Sequence, residues 1–597
     1  MKTLALAIML ALAAPATAYA QAPAPAPAPA KATAATPAWV TRSNEHAQVL
    51  IDAQAKFAPE GFSFFGIPGL DTLTADLGPD NGARFRAATA TARAELQRRL
   101  ELERDANVRQ DLAIMIRAAD EAIASSTLQE RMVLPFADAP QLVFQGINGL
   151  LSKQVPAERQ AHARERLARY VGLAPGSTPV MVQARQRYEE RAGDASLLRP
   201  TKLEVEQALQ NVDTYAAGIR AQFAEYGIDG VDESLAALDA QSKAYAAWVR
   251  ADVLPKARTE TKLPPELYAE RLRQVGIDID PLVLVQRAQL EFMETRAMMQ
   301  QLATLVAKEK GIAASDYREV IRALKRDVIP NDALEREYRV AIDAIDPIIR
   351  EHGIVDVPNR PMQMRLGTPA ESAAQPAPHF RPAPLVGNTG QQGTFVLPLG
   401  NPALGPEAAY DDFNYPSVAW TLSAHEGRPG HELQFTAMVE RGISLARTLF
   451  AFNSVNVEGW ALYAEAEMVP HEPIDGQLIA LQFRLMRAAR AMLDPMLNLG
   501  LIDRERANRL LLDDVVLSPA MARQEIDRYT FNSPGQAGAY FYGYTRILEL
   551  RMETELALGK RFDRLAFNNF LLDQGLLPPD QLADAVRTQF IPAHAGK

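Results

Sequence analysis

Residues 331–353 read NDALEREYRVAIDAIDPIIREHG, and this stretch decides the fold class. Leu334, Tyr338, Ile342, Ile345 and Ile349 recur at helical spacing, and Gly353 follows as a stop. The pattern predicts an amphipathic helix with one apolar face on a core. Val205, Leu209, Val212 and Ala216 repeat the pattern ahead of Gly227. Glu, Arg, Ala, Leu and Gln dominate residues 85–130, 155–170 and 200–350, and all five favour helix. No fixed-period repeat of the solenoid kind is present. The expectation is a mainly α protein.

The ends and the composition bound the rest. Lys2 and the apolar run from Leu4 to Ala14 precede Ala18-Tyr19-Ala20, a small-x-small cleavage signal. Residues 1–20 therefore read as a secretory signal, too short in its apolar run to span a bilayer comfortably. Residues 21–40 are an Ala/Pro-rich linker that cannot bury a core. Residues 41–597 are expected to form one helical unit with two lobes, about 41–350 and 351–597. Export to the periplasm or beyond follows, with no membrane insertion once the signal is removed. The chain has no Cys, so disulfides, thiolate metal sites and Cys nucleophiles are excluded. Its net charge is −10, and loss of Lys2 with the signal leaves 62 basic against 73 acidic side chains, or −11. Nucleic acid is a poor partner for such a surface.

Between residues 355 and 416 Pro, Gly, Asn and Thr become frequent. Gly393-Thr394-Phe395-Val396-Leu397-Pro398-Leu399 is the most strand-like run there, and Pro398 suggests an edge strand or a strand end. Helical patterning resumes at Ser417. Val418, Leu422 and His425 share one helical face and lead into His425-Glu426-Gly427-Arg428-Pro429-Gly430-His431. In the familiar H-E-x-x-H, two imidazoles one turn apart hold zinc and the Glu is the general base. Here the imidazoles are six residues apart. An unbroken helix would put them roughly 240° apart round its axis. Pro429 cannot continue a helical ladder and Gly430 permits unusual backbone angles, so the pair can bulge or restart the helix. Either this is a metal site with its own backbone geometry, or it is no site. A Cys-free zinc site also needs a third ligand. Glu458 in Asn456-Val457-Glu458-Gly459-Trp460-Ala461-Leu462-Tyr463-Ala464-Glu465 is the best candidate, with Glu465 two turns on to orient a ligand imidazole.

Those two motifs, followed by Pro534-Gly535-Gln536-Ala537 with Tyr540 and Gly543, stand in an order that resembles the bacterial family named domain of unknown function 885. The resemblance covers roughly residues 41–590 and is strongest after 360. It implies a gluzincin-like zinc metallopeptidase in which His425, His431 and Glu458 are ligands, Glu426 is the general base and Tyr540 donates to the oxyanion. Arg487, Arg490, Asp494, Glu525, Arg528 and Tyr529 also match family positions, without a defined role. The chain departs from the family at Glu432, where a second His is frequent, and near Asn498.

The resulting expectation is an exported zinc hydrolase of peptide or amide bonds, acting on short peptides. Thr394, Phe395 and Val396 would align a substrate by strand addition, and Arg528 would hold a substrate carboxylate through a bidentate contact. The alternatives are a metal-dependent amidase or esterase on a non-peptide substrate, and a non-catalytic helical binding protein. The sequence leaves the oligomeric state open.

Overall fold

A computed structural model describes residues 37–399 and 410–596. The signal segment and most of the linker lie outside the described residues. The first helix, Ala38–Gln54, starts inside the expected linker, so the folded unit begins three residues earlier than residue 41.

Helix dominates, as the periodicity implies. The helix Asn331–Glu351 buries Leu334, Tyr338, Ile342, Ile345 and Ile349, and the chain turns at Gly353 with φ +56°. Lys202–Glu225 buries Val205 and Val212, with Thr201 capping its start through the Glu204 amide. Asp105 caps Ala106–Met132 in the same way, and Asp280 caps Pro281–Lys310. Each side chain satisfies an amide that the first helical turn leaves without an internal partner.

The cores do not follow the expected division at residue 350. Two smaller clusters lie within the N-terminal half or lean on it, one around Phe144 and Tyr215, the other around Leu50, Leu96 and Leu112. The largest core joins Leu284, Met299, Val320 and Tyr338 to Leu485, Met492, Ile526 and Tyr529 in one cluster. Its spine is Pro281–Lys310 packed along Ile474–Asn498. The two halves share this interior.

The low-helix stretch forms one small sheet. β1 (Gln363–Leu366), β2 (His379–Arg381) and β3 (Thr394–Leu397) lie in the order β1-β3-β2. β3 pairs parallel to β1, with Gln363 opposite Thr394, and antiparallel to β2, with Phe380 opposite Phe395. Pro398 therefore marks the strand's end, and β3 is the central strand. With both edges paired it cannot add a peptide, which corrects the role expected for Thr394, Phe395 and Val396. Phe395 and Val396 are fully buried, the Phe395 ring meeting Tyr338 at 5.9 Å, and the Thr394 hydroxyl accepts from Gln154 at 2.7 Å. The sheet lies against the turn that carries His425, so it supports the site from behind. Among the described residues no helix is long and apolar enough to cross a membrane.

Candidate metal centre

The helix Val418–Leu422 widens into a π-helical turn, Ser423–Gly427, which holds His425 and Glu426. Arg428 is extended, at φ −116° and ψ 134°. The Gly430 amide then bonds back to the Ala424 carbonyl at 2.9 Å, and a new helix, His431–Glu440, opens at His431. A Cβ on Gly430 would stand 2.0 Å from the His425 carbonyl oxygen, so only glycine permits this return. The two imidazoles thus belong to different helices, and the six-residue spacing is resolved by a restart. Their ring centroids lie 4.8 Å apart.

Arg428 clamps the loop. It is 1% exposed and bonds Glu432 at 2.7 Å and Asp346 at 2.6 Å. Glu432 is spent on this buried pair. The Trp460 ring N–H donates to the Pro429 carbonyl at 3.0 Å, tying the loop to the next helix.

That helix, Ser454–Met468, is capped by Asn453 through the Asn456 amide at 2.8 Å. Glu458 and Glu465 lie two turns apart on its inner face. Glu458 Oε2 is 3.3 Å from His431 Nε2 and 3.6 Å from His425 Nε2. The three ligand atoms all lie within 4.8 Å of one another. Tetrahedral bonds of about 2.1 Å put ligand atoms about 3.4 Å apart, so the two nitrogen–oxygen pairs already fit a zinc ion. The Glu458 oxygen is buried with no hydrogen-bond partner in the protein, as is His431 Nδ1. Two neutral-capable nitrogens and one carboxylate are a donor set that suits zinc.

Glu465 lies behind His425. Its Oε1 is 2.5 Å from His425 Nδ1, and it also accepts from Thr421 at 3.0 Å and Arg487 at 2.9 Å. A proton on Nδ1 donated to this carboxylate leaves the Nε2 lone pair facing Glu458. Glu426 Oε1 is 3.9 Å from His425 Nε2. Burial pushes the Glu426 carboxyl up to about 8, against the pull of His431 and with a further push from Glu458. Burial would raise Glu458 too, but the two imidazoles outweigh it and hold that carboxyl well below the usual range. Glu465 is also lowered, because Arg487 and His425 outweigh its burial.

Tyr540 comes from the helix Ala539–Leu558. This helix crosses Ser454–Met468 at two glycines: a Cβ on Gly543 would meet the Val455 carbonyl oxygen at 2.0 Å, and one on Gly459 the Gly543 carbonyl carbon at 2.5 Å. The close approach lays the Tyr540 ring parallel to His425, centroids 6.1 Å apart. Its hydroxyl accepts from Arg528 Nη2 at 2.9 Å, which leaves its own proton free to donate. The Pro-Gly-Gln-Ala turn preceding it is anchored by Asp494, which accepts from the Gly535 amide at 2.8 Å where φ is +88°. Gln536 accepts from Arg528 Nε at 2.9 Å and also from its Nη2. The bidentate side of Arg528 is therefore committed to Gln536 and Tyr540, and only Nη1 remains for a ligand.

His425, Glu426, His431, Glu458, Glu465 and Tyr540 thus converge, with Arg528 one ring away, while the β3 residues stay in the core. Sequence reasoning gave Arg487 no role, yet it lies beside both Glu465 and His425 Nδ1, the latter at 3.4 Å. Its only local signal is helical register with Arg490.

Residues 59–586 match the family described as bacterial protein of unknown function (DUF885), and the chain belongs to it. No curated protein matches the chain. Two solved structures share its fold. A candidate lipoprotein from Colwellia psychrerythraea has 18% identity and a TM-score of 0.73, covering 93% of this chain and 100% of its own. A candidate lipoprotein of unknown function from Shewanella oneidensis has 19% identity and a TM-score of 0.68, covering 92% and 100%.

Proposed function

We propose that the protein is an exported, zinc-dependent hydrolase of peptide or amide bonds with a gluzincin-like site. The observation that carries this reading is the convergence of His425, His431 and Glu458 beside Glu426. Export rests on the signal-like first twenty residues. It is also in keeping with the description of both structural relatives as candidate lipoproteins.

His425 Nε2, His431 Nε2 and Glu458 would hold the ion. Zinc bound there lowers the pKa of water from about 15.7 to about 7 and polarises a carbonyl. Glu426 takes the proton of the attacking water and passes it to the leaving amine. Tyr540 donates its hydroxyl proton to the oxygen on which charge develops. Glu465 holds His425 in the ligating tautomer. Burial of the whole group keeps bulk water from competing for these donors.

The test is a cleavage screen of a mixed short-peptide library after zinc loading, wild type against Glu426→Gln. The variant should retain zinc and lose at least about 100-fold in kcat, the scale of a positioned general base. Equal turnover would remove Glu426 as the base. A zinc-loaded wild type that cleaves no peptide or amide would end the hydrolase reading.

A further inference from the structure

The proposed chemistry leaves a cationic arm without a task. Arg487, Arg490 and Arg528 surround Tyr540, their guanidinium carbons 5.8, 4.6 and 5.2 Å from its ring centroid. Two buried carboxylates answer them. Glu465 accepts from Arg487 at 2.9 Å, and Glu525 takes Arg490 through both oxygens at 2.8 and 2.6 Å. Arg528 has no carboxylate of its own. Its Nη1 is 3.7 Å from a Glu525 oxygen that Arg490 already occupies, and its other side meets the neutral Gln536 and Tyr540. Among the described residues no carboxylate lies within hydrogen-bond distance of Nη1. A cation this deep is costly unless an anion joins it. Arg528 is also the open member: its side chain is 15% exposed, against 4% for both Arg487 and Arg490.

The position narrows the ligand. Arg528 bonds the hydroxyl of Tyr540, whose ring faces His425 at 6.1 Å. One phenol ring therefore separates the cation from the ligand cluster. An extended chain spans about 3.3–3.6 Å per residue, so one or two residues fit between a reacting carbonyl and an anion at Nη1. Every unmodified peptide offers one carboxylate at a fixed distance from its last bonds, the C-terminal one.

We infer that Arg528 receives the C-terminal carboxylate of the substrate, and that the enzyme is an exopeptidase removing one or two residues from that end. The inference rests on the hydrolase reading and specifies its substrate. Water adds hydroxyl to the acyl carbon and a proton to the amine as the C–N bond breaks.

The experiment compares one peptide library as free acids and as C-terminal amides. A third set is amidated and ends in Glu, which supplies a carboxylate from a side chain instead. Wild type should release one or two C-terminal residues and prefer acids by about 30-fold or more in kcat/KM. Arg528→Gln should cancel that preference with zinc content unchanged, and Arg528→Lys should restore part of it. Equal rates on acids and amides, or cleavage at internal bonds, would overturn the assignment. Cleavage of the Glu-ending amides as fast as the acids would assign the arm to an acidic side chain and overturn it too. A second readout needs no turnover: calorimetric binding of acetyl-tetra-alanine and its amide to zinc-loaded Glu426→Gln protein. The acid should bind at least about 10-fold tighter, and the added Arg528→Gln should abolish the difference. Equal affinities refute the arm's role whether or not hydrolysis is found. No turnover on any set, with the affinity difference intact, refutes the hydrolase reading and the exopeptidase action with it, and leaves the carboxylate site at Arg528 standing.

Discussion

His425 shows how much of the site one side chain depends on. Its Nδ1 proton has a carboxylate acceptor in Glu465, and that carboxylate is held by Thr421 and Arg487. Replacing Glu465 with Gln removes the charge that orients the ring, so zinc affinity should fall about 10–100-fold in a competition titration. Tyr540→Phe removes the hydroxyl and the bond it accepts from Arg528. Its kcat should drop by about 10²–10³ with unchanged zinc content, as measured by steady-state kinetics on a cleaved peptide. The residues of the candidate metal centre stood out in the sequence because their types are unusual in combination: two His, a Glu between them, and a Glu opening the next helix. Arg487 and the Arg428–Glu432 pair were not legible as site parts. Arginine is a default surface residue, and only the fold shows Arg487 and Arg428 to be 3% and 1% exposed.

At the scale of elements, the site depends on a helix that stops and starts again. The pattern Val418, Leu422, His425 revealed the helix, and Pro-Gly revealed a break. The π-helical turn and the back-bond from Gly430 to Ala424 could not be read, because they depend on where Trp460 and the sheet press on the loop. Gly430→Ala puts a methyl on the His425 carbonyl. It should cost about 1–3 kcal/mol in denaturant melts and reduce zinc occupancy, since the ligand backbone itself must move. Gly543→Ala pushes apart the Tyr540 and Glu458 helices and should destabilise by a similar amount. The sheet shows the opposite failure of sequence reading. Phe395 and Val396 read as strand, correctly, and Pro398 as an edge strand or a strand end; the strand does end there, but both its edges are filled by β1 and β2. Strand pairing is a long-range property, and neither partner strand carries a strong local signature.

For the molecule as a whole, the shared core makes stability a single property of both halves, and buried carboxylates set its pH limits. Glu525 is held down to about 2, because Arg490 and Arg528 outweigh its burial. Its folded value lies below the unfolded 4.5, so its contribution is present above 4.5 and lost as pH falls towards 2. That contribution is on the order of 3 kcal/mol, and Glu525→Gln should flatten the acid limb of a thermal-melt profile. Glu472 works in the other direction. Neither of its oxygens has a protein partner, and burial raises it to about 8. Its folded value exceeds the unfolded one, so stability is full below 4.5 and lost as pH rises through 8. Glu472→Gln should flatten the profile between 4.5 and about 8 and leave the acid limb unchanged.

Two imidazoles on separate helices and one carboxylate should form a single metal site. An anomalous difference map collected above and below the zinc edge, on crystals of the zinc-loaded protein, tests it directly. The zinc-loaded protein should show one peak per chain within about 2.0–2.2 Å of His425 Nε2, His431 Nε2 and a Glu458 oxygen, absent in Glu458→Ala crystals. Zinc-loaded crystals with no peak there, or a peak bound only elsewhere, would contradict it.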